Sequence, residues 1–200
     1  FSMVLRCSYG NIEEETRAID ELLQIGVEGI IIMCVHDENY NSKVLQLVVE
    51  RFPIVTIDRQ LKGIPLSFVG TNNEEAAREL ANYLLNEGYK KICFAMPASR
   101  ETSTIVERQN GLTMAFREHG MIADESLWIT DLKATLPSSR SEENLERDMR
   151  RITKFMESHR EVEAFFAVEY SIARIIYRCL YHMNLHKKCP VVCFDSSDNI

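Results

Sequence analysis

Proline, glycine and long apolar runs are scarce in this sequence. Its 200 residues include 5 prolines and 8 glycines, too few for a disordered or collagen-like chain. No apolar run approaches the roughly 18 residues that a membrane-spanning helix needs, so we expect no membrane segment. The opening residues FSMVLRCSYG lack the basic start and apolar stretch of a signal peptide, although a cleaved one would leave no trace. The length allows one large globular domain or two smaller lobes.

The sequence also contains fewer basic than acidic residues. Lysine and arginine together number 23 against 30 aspartates and glutamates, which gives a net charge of -7. Binding to a nucleic-acid phosphate backbone needs clustered Lys and Arg, so we do not expect this chain itself to bind DNA. The stretch VGTNNEEAA has no second phosphate-cradling glycine, and neither a Walker-type lysine loop nor a Gly-x-Ser-x-Gly elbow occurs. With no nucleophile–base arrangement either, we predict no cofactor and no enzyme.

Six cysteines are an even number, which raises the question of disulfides. Cys7, Cys34, Cys93 and Cys193 fall inside or at the end of apolar, strand-like runs, where cysteine behaves as a small hydrophobic residue. A chain of this length with a good core needs no disulfides for stability. We therefore predict reduced thiols and a cytoplasmic protein.

A zinc site at the last predicted helix is the metal hypothesis to weigh. His182 and His186 lie four residues apart with Cys189 close behind, a spacing that could hold zinc. The alternative is a solvated helix end, where His and Lys suit the helix dipole. We favour this alternative and predict no metal site.

Short apolar runs alternate with amphipathic segments along the chain. The apolar runs, predicted as strands, occupy residues 2–8, 27–34, 53–58, 66–70, 90–96, 127–132, 162–168 and 190–195. The predicted helices between them occupy residues 11–26, 42–52, 72–88, 102–120, 141–159 and 171–184. The run at 27–34 is continuously apolar, which is typical of a strand covered on both faces. Strand–helix alternation throughout predicts an α/β fold with parallel, doubly wound sheets.

Several predicted helices carry end signals and an apolar face. Asn11 is placed as an N-cap with Glu14 three residues on, Gly26 marks the end of that helix, and Ser141 opens another. In the helix at 72–88, the face predicted to pack on the core consists of Ala76, Leu80, Tyr83 and Leu84.

Polar side chains follow several of the predicted strands. They are Cys34, His36, Asp58, Arg59, Gln60, Glu169, Tyr170 and Asp195, and Arg108 lies early in a helix that follows another strand. In open parallel sheets ligands bind beyond the carboxyl ends of the strands. Carboxylates accept hydrogen bonds from hydroxyl groups, and arginine donates them through a rigid fork, so the set suits a ligand rich in hydroxyls. For Asp58 and Arg59 the alternative is a surface ion pair of negligible worth.

These motifs carry a family resemblance. The stretches LLQIGVEGIIIM, PIVTIDR, VGTNNEEAARELANYLLNEGYKKICF, ERQNGLTMAF and VVCFD resemble, in order and spacing, the periplasmic-binding-protein-like sensor domain of the LacI/GalR transcription regulators. Sugar-binding proteins share this domain. The resemblance implies two α/β lobes with a ligand clamped between them, an N-terminal lobe at residues 1–70 and a C-terminal lobe at 71–200. It also implies a chain truncated at both ends, with a strand and helix missing before Phe1 and a return crossover missing after Asp195.

The resemblance implies a role for particular residues. Asp58 matches the acid that binds sugar hydroxyls, and Arg59 matches an arginine that binds sugar in the ribose-binding relatives. Arg108 and Asp195 match two further ligand-binding positions. Glu169 stands where the family usually has asparagine. A carboxylate only accepts, so hydroxyl or amine donors are expected on the ligand. Two other departures from the family pattern are Asn72 and Cys193.

The function implied is that of an effector-binding domain in a cytoplasmic transcription repressor, which senses a small sugar or related metabolite by hinge closure. DNA would be bound through a separate N-terminal module absent here, either a LacI-type headpiece or a winged helix, in a homodimer. The alternative is an extracytoplasmic solute-binding protein that delivers sugar to a transporter. The sequence upstream of Phe1 would discriminate between the two.

Overall fold

The computed structural model describes residues 2–35, 40–98, 102–135 and 139–195. These residues form two compact units, each built from parallel strands and helices. The first unit runs to Asn72 and also takes in the segment that ends at Thr104, and the second contains the residues from Asn73 onward apart from that segment. The prediction of an α/β fold with parallel sheets is confirmed.

The first unit contains a three-stranded parallel sheet in the order β1-β2-β3. Its elements are α1 (Ile12–Gln24), β1 (Ile30–Ile32), α2 (Ser42–Val49), β2 (Ile54–Ile57) and β3 (Ser67–Val69). As predicted, Asn11 caps α1, because its side chain accepts the backbone N–H groups of Glu13 and Glu14. Gly26, with a φ of 77°, follows the end of that helix in the left-handed conformation that favours glycine.

The second unit contains a four-stranded parallel sheet in the order β5-β4-β6-β7. Its elements are α3 (Asn73–Asn86), β4 (Ile92–Pro97), α4 (Ser103–Glu118), β5 (Ile129–Leu132), α5 (Glu142–Ser158), β6 (Ala164–Ala167), α6 (Tyr170–His182) and β7 (Val191–Cys193). A short 3-10 helix at Glu125–Leu127 precedes β5, where the sequence predicted the start of the strand. Ser141 caps α5 as predicted, with its hydroxyl accepting the N–H of Asn144.

The strand predicted at residues 2–8 is wrong, since these residues belong to no sheet in the described structure. Their apolar side chains face solvent: Met3 is 96% and Leu5 79% exposed. An apolar run becomes a strand only when another strand lies alongside to pair its backbone groups. The sequence pattern identifies the apolar run, but it does not show whether another strand lies beside it.

The core of the second unit lies on both faces of its sheet. Every residue of β6 is fully buried, and so are nearly all of those in β4. Phe94 at the centre of β4 packs against Phe166 of β6, with ring centroids 5.6 Å apart, and against Trp128 at 5.3 Å. Full burial on both faces is what a parallel sheet between two helical layers requires.

The core of the first unit lies on one face of its sheet. Ile30 and Ile54 point into a cluster with Ile19 of α1 and Leu47 of α2. The residues that alternate with them face outward, and Ile31 is 71% exposed. The prediction that the strand in residues 27–34 is covered on both faces is therefore wrong for the described residues.

Helices α3 and α4 of the second unit approach each other closely at Gly111. A Cβ placed on this glycine would lie 2.2 Å from the carbonyl oxygen of Glu74 and 2.7 Å from the Cβ of Ala77. The core face of α3 accordingly uses small residues, and Ala77 and Ala81 are fully buried together with Leu84. Tyr83, predicted on that face, is 58% exposed. The buried stripe is thus rotated by about one residue from the predicted one.

Among the described residues, none of the helices combines the length and the apolar character that crossing a lipid bilayer demands.

Candidate functional site

The topology of the second unit creates a crevice at one place along its sheet. From β4 the chain passes through α4 to β5 on one side, whereas from β6 it passes through α6 to β7 on the other. The connections that leave the carboxyl ends of β4 and β6 therefore diverge. In open α/β sheets ligands bind at such a switch point, beyond the carboxyl ends of the strands.

Arg108 lies at this crevice, held by contacts to three other segments. Its Nε donates a hydrogen bond of 2.8 Å to Oδ1 of Asn73 at the start of α3. Its Nη1 donates to the backbone carbonyl of Val168, the residue that follows β6. Its guanidinium carbon lies 3.8 Å from the ring centroid of Phe194, which follows β7. One side chain thus spans the carboxyl ends of two neighbouring strands.

Asn73 is buried with 2% of its surface exposed, so its side-chain amide needs hydrogen-bond partners. Its carbonyl accepts from Arg108, and its Nδ2 donates to Oε2 of Glu107 at 3.4 Å. These two contacts assign the orientation of the amide and present its oxygen to the guanidinium. Asn73 therefore supports Arg108 from the side of α3.

Glu169 directly follows Val168 and Asp195 directly follows Phe194, which are two of the three residues that contact Arg108. The carboxylate of Glu169 accepts a 2.8 Å hydrogen bond from the hydroxyl of Ser171. Asp195 is exposed and has a φ of 67°. Glu169 and Asp195 thus follow the adjacent strands β6 and β7, and Arg108 of α4 contacts the residue before each of them. Two acids thus stand next in sequence to residues that contact Arg108.

The predicted residues Asp58 and Arg59 lie in the first unit, at the carboxyl end of β2. The side chain of Asp58 is exposed, and its N–H donates to the carbonyl of Val69 at 3.0 Å. Arg59 reaches across to the end of β1, where its Nη1 donates to the carbonyls of Cys34, at 3.1 Å, and Val35. Ion pairs within the described ranges do not include one between Asp58 and Arg59, which argues against the surface-pair alternative.

Asp58 and Asp195 share an uncommon backbone conformation. Their φ values are 63° and 67°, in the left-handed region where side chains other than glycine are infrequent. Asp58 directly follows β2, and Asp195 comes two residues after the end of β7, so the chain turns close to the carboxyl end of each strand. Backbone strain of this kind clusters at binding sites, because it persists only where the surrounding structure holds it.

A buried carboxylate secures the segment after β1. Glu15 of α1 is 4% exposed, and its two oxygens accept from the N–H of Val35, at 2.7 Å, and from Nδ2 of Asn41, at 2.8 Å. Arg59 donates to the carbonyl of the same Val35. Glu15 therefore helps to hold one of the acceptors of Arg59 in place.

The thiols around the second sheet are not activated as nucleophiles. Burial, followed by the nearby carboxylate of Asp195, raises the pKa of the Cys193 thiol. Burial raises the pKa of Cys189 to about 12. A nucleophilic cysteine requires a lowered pKa, so both thiols remain protonated at neutral pH. All six cysteines of the chain are free.

The remaining sequence predictions concern His36 and a metal site. His36 lies outside the described residues, and within them no group of His, Cys, Asp and Glu is arranged to hold a metal ion. Sequence reasoning missed Asn73 and Phe194 as supports of Arg108. Their signal was positional only: each lies where a helix begins or a strand ends. The hydroxyl of Tyr170 is buried with no hydrogen-bond partner in the described structure.

Comparison with known proteins gives a consistent result. The family model of periplasmic binding proteins and the sugar binding domain of the LacI family matches residues 3–196. The HTH-type transcriptional regulator PtxS of Pseudomonas aeruginosa is 25% identical over 108 residues, which are 54% of this chain and 31% of that protein. The matched stretch therefore spans about a third of the length of this curated relative.

Solved structures show the same fold. A LacI family transcriptional regulator from Silicibacter pomeroyi has a TM-score of 0.73 and 21% identity, with 94% of this chain and 67% of that chain covered. A glucose-galactose binding protein from Geobacillus stearothermophilus has a TM-score of 0.75 and 19% identity, with coverage of 94% and 64%. Regulators and solute-binding proteins thus both occur among the structural neighbours.

Proposed function

The chain belongs to the family of periplasmic binding proteins and sugar-binding domains of the LacI family, and we propose that it is the effector-binding domain of a bacterial transcription repressor. Its effector is a small sugar or a related metabolite. The observation that carries this proposal is the position of the Arg108 guanidinium. It contacts Val168 after β6 and Phe194 after β7, and Glu169 and Asp195 are the next residues along the chain. Such a set offers both donors and acceptors to a polyhydroxylated ligand.

The chemistry of the five residues assigns complementary roles. Arg108 and Arg59 donate hydrogen bonds from planar guanidinium groups, whose geometry suits pairs of ligand oxygens. Asp58, Glu169 and Asp195 accept charge-assisted hydrogen bonds from hydroxyl groups. Glu169, as a carboxylate, adds only acceptors, so a ligand with additional hydroxyl or amine donors is favoured over one that is rich in acceptors.

We assign the mechanism to hinge closure. Asp58 and Arg59 belong to the first unit, and Arg108, Glu169 and Asp195 belong to the second. A ligand that contacts both sets has a higher affinity for the closed than for the open arrangement, and it therefore shifts the population toward closure. In a cytoplasmic homodimer this closure would change the spacing of DNA-binding modules carried by a separate N-terminal segment, since half-sites lie about one helical turn apart.

The second candidate function is delivery of a sugar to a transporter by an extracytoplasmic solute-binding protein. The likeness to the glucose-galactose binding protein favours it, because the same fold serves both roles. The six free cysteines favour the regulator, since unpaired thiols are typical of a reducing compartment. A helix-turn-helix or winged helix upstream of Phe1 would support the repressor, and a signal or lipoprotein leader would support the transporter component.

Thermal shift measurements test the proposal. The panel is D-ribose, D-xylose, D-glucose, D-galactose, adenine and guanine, applied to this chain and to a longer polypeptide with its natural flanking sequence. Ligand at 100 times its Kd stabilises the folded state by about 2.7 kcal/mol, which gives a readily measured increase in Tm. We expect at least one sugar to raise the Tm.

Variants then locate the site. Arg108→Ala and Asp58→Ala should abolish the sugar-induced shift, because removal of one partner from a buried polar pair costs about 2–5 kcal/mol. Arg117→Ala, which removes an exposed arginine from the same helix α4, is the matched control and should leave the shift intact. A shift that persists in both site variants would exclude this site. A panel without any shift in the longer polypeptide would contradict sugar sensing.

A further inference from the structure

The guanidinium of Arg108 is oriented by neighbours as well as by its own helix. Asn73 fixes the Nε edge, the carbonyl of Val168 fixes Nη1, and the ring of Phe194 covers one face at 3.8 Å. An arginine side chain has many rotamers, and each of these contacts removes a different part of that freedom. The three contacts together define both the plane and the rotation of the group.

Phe194 contributes a contact that a small or aliphatic residue cannot reproduce. The face of an aromatic ring carries partial negative charge, which attracts the cation placed over it, and a planar guanidinium also stacks on the ring. Phe194 is itself held, since its ring lies 6.0 Å from that of the fully buried Phe166 in an edge-on arrangement. The platform beneath Arg108 is therefore anchored in the core of the second unit.

The packing of α3 against α4 brings Asn73 within reach. Gly111 lies one turn after Arg108 on α4, where the two helices approach too closely for any side chain. This approach places the first residue of α3 beside Arg108, so that Asn73 can accept from Nε. The glycine of the ERQNG stretch thus has a role in the geometry of the arginine.

We propose that Phe194 and Asn73 are positioning residues that hold Arg108 in its ligand-binding orientation before the ligand arrives. This inference rests on the proposed function, because it treats Arg108 as a ligand-binding group. A side chain that is already ordered loses less entropy when it binds, and this saving corresponds to about two- to tenfold in affinity. Phe194 and Asn73 act through Arg108, whereas Glu169 and Asp195 are proposed to contact the ligand themselves.

The direct test is a proton–nitrogen correlation spectrum of the arginine Nε–H groups, with Arg108 assigned from the Arg108→Lys variant. Protons above an aromatic face are shifted upfield, and a hydrogen-bonded Nε–H exchanges slowly with water. We expect Arg108 to show both signatures. Phe194→Leu should remove the upfield shift, Phe194→Tyr should restore it, and Asn73→Ala should accelerate the exchange of the Nε proton.

Phe155→Leu is the matched control, because it removes another ring that lies near an arginine, here Arg151 at 5.8 Å. It tests whether any loss of aromatic packing in the second unit disturbs Arg108. An unchanged Arg108 signal in Phe194→Leu would overturn the proposal. Equal changes in Phe194→Leu and Phe155→Leu would also overturn it, since they would indicate general loosening.

Calorimetric titration with D-ribose, D-glucose and D-galactose supplies the functional measurement. We expect Phe194→Leu to weaken the binding of the sugar that binds the parent by about two- to tenfold, with Phe194→Tyr close to the parent. Equal affinity in Phe194→Leu and parent would contradict positioning. If none of these sugars binds the parent, the proposed function fails for them, while the spectra still decide whether Phe194 and Asn73 orient Arg108.

Discussion

The sheets of the two units differ in how they are covered. In the second unit β4 and β6 are buried on both faces, and their side chains meet helices on either side. In the first unit one face packs on α1 and α2, and the opposite face exposes Ile31, at 71%, and Val69, at 64%. Both sheets are parallel and both arise from continuous apolar runs. Apolar patterning therefore predicts a parallel strand without showing how many of its faces are covered.

The difference has a thermodynamic consequence. Buried apolar surface contributes about 25 cal/mol per Å², so a sheet with two covered faces gains more from burial than one with a single covered face. The second unit should be the more stable part of the chain. The substitutions below test this contrast, beginning with the largest expected effect.

Phe166→Ala should be the most destabilising of these substitutions. Phe166 is fully buried in β6 and packs against Phe94, so its removal leaves a cavity that costs about 3–5 kcal/mol. Trp128, the single tryptophan, packs on Phe94, and its fluorescence during urea denaturation reports on this unit. A loss below about 1 kcal/mol would show that the core is less tightly packed than described.

Asp148→Ala should destabilise more than the corresponding change Glu15→Ala in the first unit. Asp148 of α5 is fully buried and accepts from the N–H groups of Lys133 and Ala134 and from Arg147, at 2.7–2.8 Å. Its loss leaves the N–H groups of Lys133 and Ala134 without this acceptor, while Arg147 keeps its contacts to Asp131, so we expect a total cost of about 2–4 kcal/mol. Glu15 has no cationic partner among these contacts, and its removal should cost about 1–3 kcal/mol.

Asp148→Asn is the control for this pair, since it keeps the shape and one acceptor and should cost less than Asp148→Ala. The measurement is the urea midpoint and slope of each variant, with circular dichroism added for Glu15→Ala because the tryptophan lies in the second unit. A greater loss in Glu15→Ala than in Asp148→Ala would reverse the expected order of the two units.

Ile31→Ala should have the smallest effect. Its side chain is 71% exposed, and substitutions at exposed positions usually change stability by no more than about 0.5 kcal/mol. Circular dichroism and hydrogen exchange at the β1 and β2 amides would measure it. A loss above about 2 kcal/mol would show that the outer face of the first sheet is covered in solution, and the contrast between the two units would then disappear.

Much of the fold could be predicted because helix signals are local. Asn11, Gly26 and Ser141 end or begin helices through bonds to residues within one turn, and their roles can be read from sequence alone. The strand predicted at residues 2–8 failed because pairing depends on a distant neighbour. The face of α3 was misassigned because close approach at Gly111 favours alanine, which apolar scales rank below Leu and Tyr.

Only some residues of the candidate site could be named from the sequence. A residue that follows a strand can be identified once that strand has been predicted, and this rule selected Asp58, Glu169 and Asp195 as candidates. Asn73 and Phe194 contact Arg108 from segments 35 or more residues away. Neither has a sequence pattern of its own, because their contribution depends on tertiary contacts that only the folded chain brings together.

The most direct test of the central claim is hydrogen exchange with and without the sugar that gives the largest thermal shift. The proposal that one ligand engages both units predicts slower exchange at two places, the end of β2 around Asp58 and the ends of β6 and β7 around Glu169 and Asp195. Arg108→Ala should remove the protection at both places. Protection confined to one unit, or none at either, would contradict the account.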